Sequence, residues 1–362
     1  ESITIIKDAS AGALYGARGA NGVVMVTTKR GSEGDVTVNF KANLGVSSWG
    51  IQRYETMNPY EWTEDVYFMY KNKFIKNGVA PELAGIQALN EMAVGPTRIF
   101  GARQQYNPFS RSATDLIDHS TGKIYDGTTL KWNENWLDEA TQDTPIRQEY
   151  QMVVSGGTPK TNYMFSLGYL NEDGLVKSTN FERFSGRTNV DSKITDWFRA
   201  GLNINFAANK SNSTVLSDPE ASMTSYSNVF HSCMMMPPVY PFYQKDDSGK
   251  TVYDSNGKPL FDWGEYRPAG AAAGWNPIAN LKEDRYFGMT DNVSSRMFLE
   301  YKGLEDSFLK GVKIAANFGF DYSNGKSKTY YNPFFGNGKA LNGLIEIADE
   351  RTFSYTFNQI VS

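Results

Sequence analysis

Asp35-Val-Thr-Val-Asn-Phe-Lys-Ala-Asn-Leu-Gly-Val46 alternates apolar and polar side chains almost without a break. In a β-strand successive side chains point to opposite faces. Val36, Val38, Phe40, Ala42, Leu44 and Val46 therefore share one face, and Thr37, Asn39, Lys41 and Asn43 the other. The pattern returns at Phe198, Ala200, Leu202, Ile204 and Phe206, against Arg199, Asn203 and Asn205. It returns again at Val312, Ile314, Ala316, Phe318 and Phe320, against Lys313, Asn317 and Asp321. Looser versions run through Tyr150–Val154, Tyr163–Tyr169, Phe184–Val190, Val293–Tyr301 and Phe353–Phe357. Eight strands are expected, several long enough to cross a hydrocarbon layer at a tilt.

A soluble β-sandwich alternates in the same way, so alternation alone leaves two architectures open. Two features favour a membrane barrel. The polar faces are rich in Asn and Arg, as a hydrated lumen requires, and aromatics sit at strand ends (Phe40 and Trp49, Trp197 and Phe206, Tyr301, Tyr322) like interfacial girdles. The connections also alternate. Ser155–Lys160, Asp191–Asp196 and Gly303–Ser307 are short, whereas about 47–146, 211–288 and 323–350 are long and 171–180 is intermediate. Short turns at one rim and long loops at the other place the former in the periplasm and the latter outside.

The composition limits other classes. Among 362 residues, 40% are hydrophobic and 14% aromatic, and the net charge of −4 gives no basic face for nucleic acid. A single cysteine, Cys233, excludes a disulfide framework and a Cys-rich metal site. No apolar run is long enough for a transmembrane helix, which a barrel would not show in any case. His119 and His231 are isolated, with no second His at helical spacing, so neither catalysis nor a metal or cofactor is expected. Asp246–Lys250 and Asp254–Lys258 read as two polar turns of a loop hairpin, and Met234-Met-Met-Pro-Pro238 as a gap-filling apolar segment. Asn58-Pro-Tyr-Glu61 predicts a helix start, with Asn58 as cap and Glu61 closing a capping box; the helix should stop at Asn77-Gly78.

Glu1–Ile6 and Val23–Thr28 read as strands flanking the glycine-rich turn Tyr15-Gly-Ala-Arg-Gly-Ala-Asn-Gly22. The glycines precede a strand rather than open a helix, so they do not form a dinucleotide fingerprint. Lys7 to Lys29 as a whole resembles the end of the plug domain of TonB-dependent outer-membrane transporters, in particular the SusC-like branch of Bacteroidetes. Gly12 stands where that branch often has a larger residue. Trp136–Glu139, Tyr150–Gly157, Asn162–Lys177 and Asp191–Asn203 look like the same family.

The resemblance implies an all-β membrane fold. Residues 1–34 would be the C-terminal part of an αβ plug, and 35–362 about eight strands of a 22-stranded antiparallel transmembrane barrel. It implies a piece of a longer protein, set in outer-membrane lipid, that imports a bulky solute rather than catalysing a reaction. TonB would act through a segment absent from this chain, and a SusD-like surface lipoprotein would cap the outer loops. The expected cargo is an oligosaccharide, with a peptide as the alternative; a soluble secreted β-rich carbohydrate-binding or hydrolase domain is the alternative of another class. Candidate ligand contacts are Arg18 and Asn21 near the glycine turn and the loop aromatics Trp132, Tyr240, Tyr243, Trp263 and Trp275. For Arg18 a structural ion pair with a wall carboxylate is the favoured role over ligand contact. Tyr and Trp rings suit both sugar stacking and protein contact, which the sequence does not separate.

Overall fold

The computed structural model describes residues 2–7, 21–27, 29–101, 104–214, 229–268, 275–304 and 308–362. Ser2–Ile6 (β1) and Val23–Thr27 (β2) pair antiparallel as a two-stranded sheet. Gly22, at the entry to β2, has φ of 93°, and a Cβ there would lie 3.1 Å from the Ile6 carbonyl oxygen. Both conditions call for glycine. Most of the glycine turn lies outside the described residues.

Gly34–Val46 (β3) opens the main sheet. The long connection after it carries helices Pro59–Lys76 (α1) and Pro81–Val94 (α2), a small ladder of Ile117–Asp118 (β4) with Lys123–Ile124 (β5), and a helical turn at Trp136–Ala140 (α3). Ile146–Gly157 (β6), Thr161–Asp173 (β7), Asn180–Lys193 (β8) and Phe198–Ser213 (β9) follow. A second long connection holds Val229–Met235 (α4) and Pro277–Glu283 (α5). Arg285–Lys302 (β10), Lys313–Tyr331 (β11) and Leu344–Val361 (β12) complete the chain. The eight long strands form one sheet in the order β12-β11-β10-β9-β8-β7-β6-β3, antiparallel throughout.

Register turns the one-dimensional alternation into two faces. Val190, Leu202, Met297, Phe318 and Phe357 are successive cross-strand partners on one side. One residue along, Asn189, Asn203, Arg296, Gly319 and Thr356 form a row on the other. The apolar face has an aromatic boundary at each end. At the outer end Phe40, Tyr150, Tyr169 and Phe184 follow one another, with ring centroids 6.5, 6.4 and 4.6 Å apart. At the inner end Trp197 lies 5.8 Å from both Phe198 and Tyr301. On β9 the two boundaries, Phe198 and Ala208 opposite Phe184, are about ten residues apart, or about 33 Å of strand. At a tilt of about 40° that is about 25 Å, the height of an apolar band in outer-membrane barrels.

The connections alternate as expected, with corrected lengths. Inner turns occupy 158–160, 194–197 and 303–312, and outer ones 47–145, 174–179, 214–284 and 332–343. The loop anticipated over 323–350 is thus much shorter, because β11 and β12 run 19 and 18 residues, past the aromatic boundary. Beyond that boundary the row Gln148, Asn171, Glu182, Lys210, Met289, Lys326 and Asp349 is mostly polar on the formerly apolar face. Strands there are extended ladder without alternation, which the period-2 signal does not register.

The helix start read from sequence is present in full. Asn58 Oδ1 accepts from the Tyr60 and Glu61 backbone N–H groups at 2.9 and 3.0 Å, and Glu61 accepts from Asn58 N–H at 3.1 Å. Asn77 caps the far end. Asn58→Ala is expected to cost about 1 kcal/mol locally, read as faster hydrogen exchange in the first turn of α1 with exchange in β6–β9 unchanged.

Candidate functional site

The four outer connections fold onto one another as one cap. Its apolar core takes Tyr67, Phe100 and Phe109 from the first and Tyr240, Phe261 and Ile278 from the third. Indole N–H groups stitch the two together: Trp132 donates to the Val239 carbonyl at 3.1 Å and Trp136 to that of Tyr240 at 3.0 Å.

At the centre of the cap lies Arg267, whose side chain has no solvent exposure. Its guanidinium pairs with Asp262 at 2.5 Å, donates to the Trp275 carbonyl at 3.1 Å, and lies 5.0 Å from the Tyr240 ring centroid and 5.8 Å from those of Tyr106 and Trp136. A guanidinium is planar, weakly hydrated and able to stack on aromatic faces, which suits it to this cage better than a compact, strongly hydrated ammonium. Tyr106 donates its hydroxyl to the other oxygen of Asp262 at 3.0 Å. Burial and the Asp262 charge push the Tyr106 phenol well above its ordinary range, so it remains a donor.

Charged contacts tie in the remaining connections. Glu139 receives Lys177 at 3.2 Å and Lys282 at 3.1 Å, joining three outer connections through one carboxylate. Burial works against the charge on Lys282, yet hydrogen bonds to Tyr243 and Glu139 hold its ammonium above the usual lysine range. Glu134 pairs with the buried Lys245 and accepts from Phe242 N–H at 2.9 Å. The fourth connection is held by Asp284, which accepts from the backbone and side-chain amides of Asn332 at 2.9 Å each, and by Phe335 stacked on Trp263 at 4.8 Å. Burial pushes the Asp284 carboxyl above the usual range despite those bonds. The hairpin turns at Asp246 and Asp254 form as read, each carboxylate accepting from the backbone N–H four residues on, at 2.9 and 2.8 Å.

Among the described residues, two clefts open on this assembly. One of about 580 Å³ lies between the start of α1, the segment 133–138 and residues 233–238. The methionine segment is divided there: Met236 is buried in the core, whereas Met234 and Met235 are exposed on the cleft wall. A second, of about 340 Å³, is lined by Trp263, Tyr266, Phe335, Gln105 and Gln244. Cys233 is buried, and desolvation pushes its thiol up to about 12. At pH 8 it is therefore a thiol, not a thiolate, and maleimide is expected to add mass only after the cap has been unfolded by denaturant. Prompt labelling of the folded protein would contradict this packing.

The predicted ligand contacts are distributed unevenly. Arg18 lies outside the described residues, and Asn21 is exposed in the turn before β2. Trp132, Tyr240, Trp263 and Trp275 are buried in the cap, each less than 9% exposed. Tyr243 is half-buried and accepts from Lys282 at 2.7 Å. These rings are brought together, but as cap core and cage wall; of the five, Trp263 alone lines one of the two clefts just described. Arg267, Asp262, Glu134 and Glu139 were not anticipated. The one available signal was the run Phe261-Asp-Trp-Gly-Glu-Tyr-Arg267, where charges sit among aromatics in a region with no strand pattern.

A wall with one apolar face bounded by aromatics, one polar face, short inner turns and a heavy outer cap defines part of a transmembrane β-barrel with a plug end. Comparison with known proteins narrows the class. The chain is 24% identical over 331 residues to TonB-dependent receptor P26 of Formosa agariphila, covering 91% of this chain and 26% of that one. It is 23% identical over 347 residues to TonB-dependent receptor SusC of Bacteroides thetaiotaomicron, covering 93% and 28%. The whole chain superposes on 36% of a chain in the RagAB peptide importer in its closed-closed state, with a TM-score of 0.67 and 22% identity, and in its open-open state at 0.63 and 24%. No family model matches. The chain is thus similar in sequence to TonB-dependent receptors, SusC among them, and shares the fold of a chain of the RagAB peptide importer. It spans about a quarter of the length of those curated relatives.

Proposed function

We propose that this chain forms part of the wall and the outer cap of an outer-membrane importer that takes up a bulky nutrient, most often an oligosaccharide, with force supplied by TonB. The observation that carries the reading is the joining of all four outer connections into one cap above a two-faced wall. A pore for small solutes needs no such structure over its mouth. A capped and plugged lumen must be opened, and the outer membrane has no ATP of its own to do so.

In this reading residues 1–34 close the plug and 35–362 begin the barrel. Lys29 fits that division: it shares a cleft of about 350 Å³ with Gln151, Ser166, Arg187 and Asn205 of the polar face, which becomes the lumen wall. The apolar face meets lipid. The clefts of the cap are where a SusD-like lipoprotein would deliver cargo, and Arg18, Asn21 and Trp263 remain the proposed contacts near the path. Transport, not catalysis, is the role. A peptide cargo is the second reading, favoured by the fold shared with the RagAB peptide importer.

Native mass spectrometry of the full-length protein, extracted from outer membrane in mild detergent, tests both. A co-purifying lipoprotein and added mass in hexose steps is the expected result. Added mass that fragments into amino acids would select the peptide reading, and a lipid-free, partner-free protein in the soluble fraction would overturn import altogether.

A further inference from the structure

The apolar face of the wall finishes differently at its two ends. At the inner end its last rows across β9 to β12 are Ala200-Leu299-Ala316-Gln359 and Phe198-Tyr301-Ile314-Val361, which carry no charge. At the outer end, past the aromatic boundary, the same face continues as Lys210-Met289-Lys326-Asp349 and then Asn212-Phe287-Lys328-Ile347. All three lysines are exposed. Lys210 stands two strands from Lys326, and Lys328 follows two residues along β11, so the three Cα atoms fall within about 12 Å of one another.

Arg351, in the boundary row of Ala208, and Arg285, two residues beyond Phe287, add cations to this face. Its carboxylates are Glu182 opposite Lys210, Asp349 opposite Lys326, and Asp291 in the row of Arg351. Five cations thus meet three anions. Among the described residues, none of the three lysines forms an ion pair. On the polar face, by contrast, Arg199 pairs with Asp191 at 2.6 Å, Arg296 with Asp321 at 2.8 Å and Lys313 with Glu300 at 3.0 Å.

Height decides what can meet the lysines. Their two rows lie two and four residues past the boundary at Ala208, about 7 and 14 Å of strand. At a tilt of about 40° that is about 5 and 10 Å along the membrane normal. Headgroups occupy about 5–8 Å outside the hydrocarbon on each side. The cations are therefore at headgroup depth. Met289 stands between Lys210 and Lys326, and Phe287 beside Lys328, so the lysine stems have apolar surface to lie on while their charges reach outward.

We propose that Lys210, Lys326 and Lys328 bind the phosphorylated headgroup of an anionic lipid in the outer leaflet. The ammonium groups supply the charge that phosphate oxygens need, and the apolar band directly below receives the acyl chains. The uncharged rows at the inner end assign the site to one leaflet. The site concerns the lipid around the wall, not the cargo within it, and so goes beyond import.

The test uses the full-length transporter, stripped of lipid in detergent and titrated with bisphosphorylated lipid A, with the same lipid after removal of its phosphates, and with inorganic phosphate. Bound lipid is counted by native mass spectrometry. Lys326→Gln is expected to weaken binding of the phosphorylated lipid about fivefold, and Lys210→Gln, Lys326→Gln and Lys328→Gln together on the order of a hundredfold. Replacing the same three by Arg should restore it. Lys41→Gln, on the polar face of β3, should leave it unchanged, and heat-modifiable gel mobility checks that each barrel is folded. Binding that survives the triple Gln change, or that is equal without the lipid phosphates, would overturn the proposal. Inorganic phosphate that binds as tightly as the lipid would overturn the lipid as ligand in favour of a free anion. Failure of the unaltered protein to take up the phosphorylated lipid would overturn the site and leave the importer reading standing.

Discussion

Arg267→Ala is expected to unravel the outer cap while the wall beneath it stays folded. The substitution leaves the Asp262 carboxylate buried with the Tyr106 hydroxyl and the Gly264 N–H but without its cation. Removing one member of a buried ion pair costs about 3–5 kcal/mol, far more than the pair contributes over an apolar replacement. Three rings, Tyr106, Trp136 and Tyr240, also lose the guanidinium they surround. Arg267→Lys should recover little, because an ammonium lacks the planar fork that meets Asp262 and the Trp275 carbonyl together. Arg267→Met combined with Asp262→Asn should recover most of the loss, since no charge is then stranded. The readout is proteinase K added to intact cells, with heat-modifiable gel mobility of the barrel as the control. Rapid cleavage within the cap at unchanged barrel mobility is expected. Resistance equal to the parent would mean that the cage is not the keystone of the cap.

The wall was legible in the sequence because a two-solvent environment imposes a period of two. Leu202 and Asn203 differ by one residue and belong to opposite faces, as read, and all eight expected strands are present. Strand ends were less legible where both faces turn polar, which is why β11 and β12 extend into the loop expected over 323–350. In the cap, Asn58-Pro-Tyr-Glu61 could be read because capping is local, with every partner within three residues. The cap aromatics could be seen as a group but not in their sense. Whether Tyr240 faces ligand or core depends on Arg267 and on Tyr106, which lies on another connection, and no periodicity links residues that far apart. The same reasoning explains why Glu139 went unnoticed: its two lysines come from different connections.

Leu202→Arg and Asn203→Arg, adjacent in the chain, are expected to diverge sharply. Leu202 faces Val190 and Met297 across its two neighbours, in a row that continues through Phe318 and Phe357. It lies between the aromatic boundaries at Phe198 and Ala208, near the middle of the apolar band. An arginine there should cost about 2–4 kcal/mol, the penalty for charge at the midplane of the lipid face of a barrel. Asn203 lies on the polar face, bonded to Asn189 and opposite Arg296, whose charge Asp321 already answers at 2.8 Å. An added arginine there loses one amide contact and gains a screened like-charge neighbour, about 1 kcal/mol or less in water. The pair is decisive because a soluble sandwich would order the two positions differently. In a sandwich the apolar face is a packed protein core, and in a fully solvated sheet neither change matters. Urea unfolding in lipid vesicles measures the gap, and repeating it in vesicles with thinner acyl chains adds a second reading. In a barrel the Leu202→Arg penalty should shrink as the bilayer thins, because the guanidinium then reaches headgroups sooner, whereas a protein core would be indifferent to lipid length. Equal tolerance at the two positions, or a penalty that ignores bilayer thickness, would remove the membrane from the account of this wall.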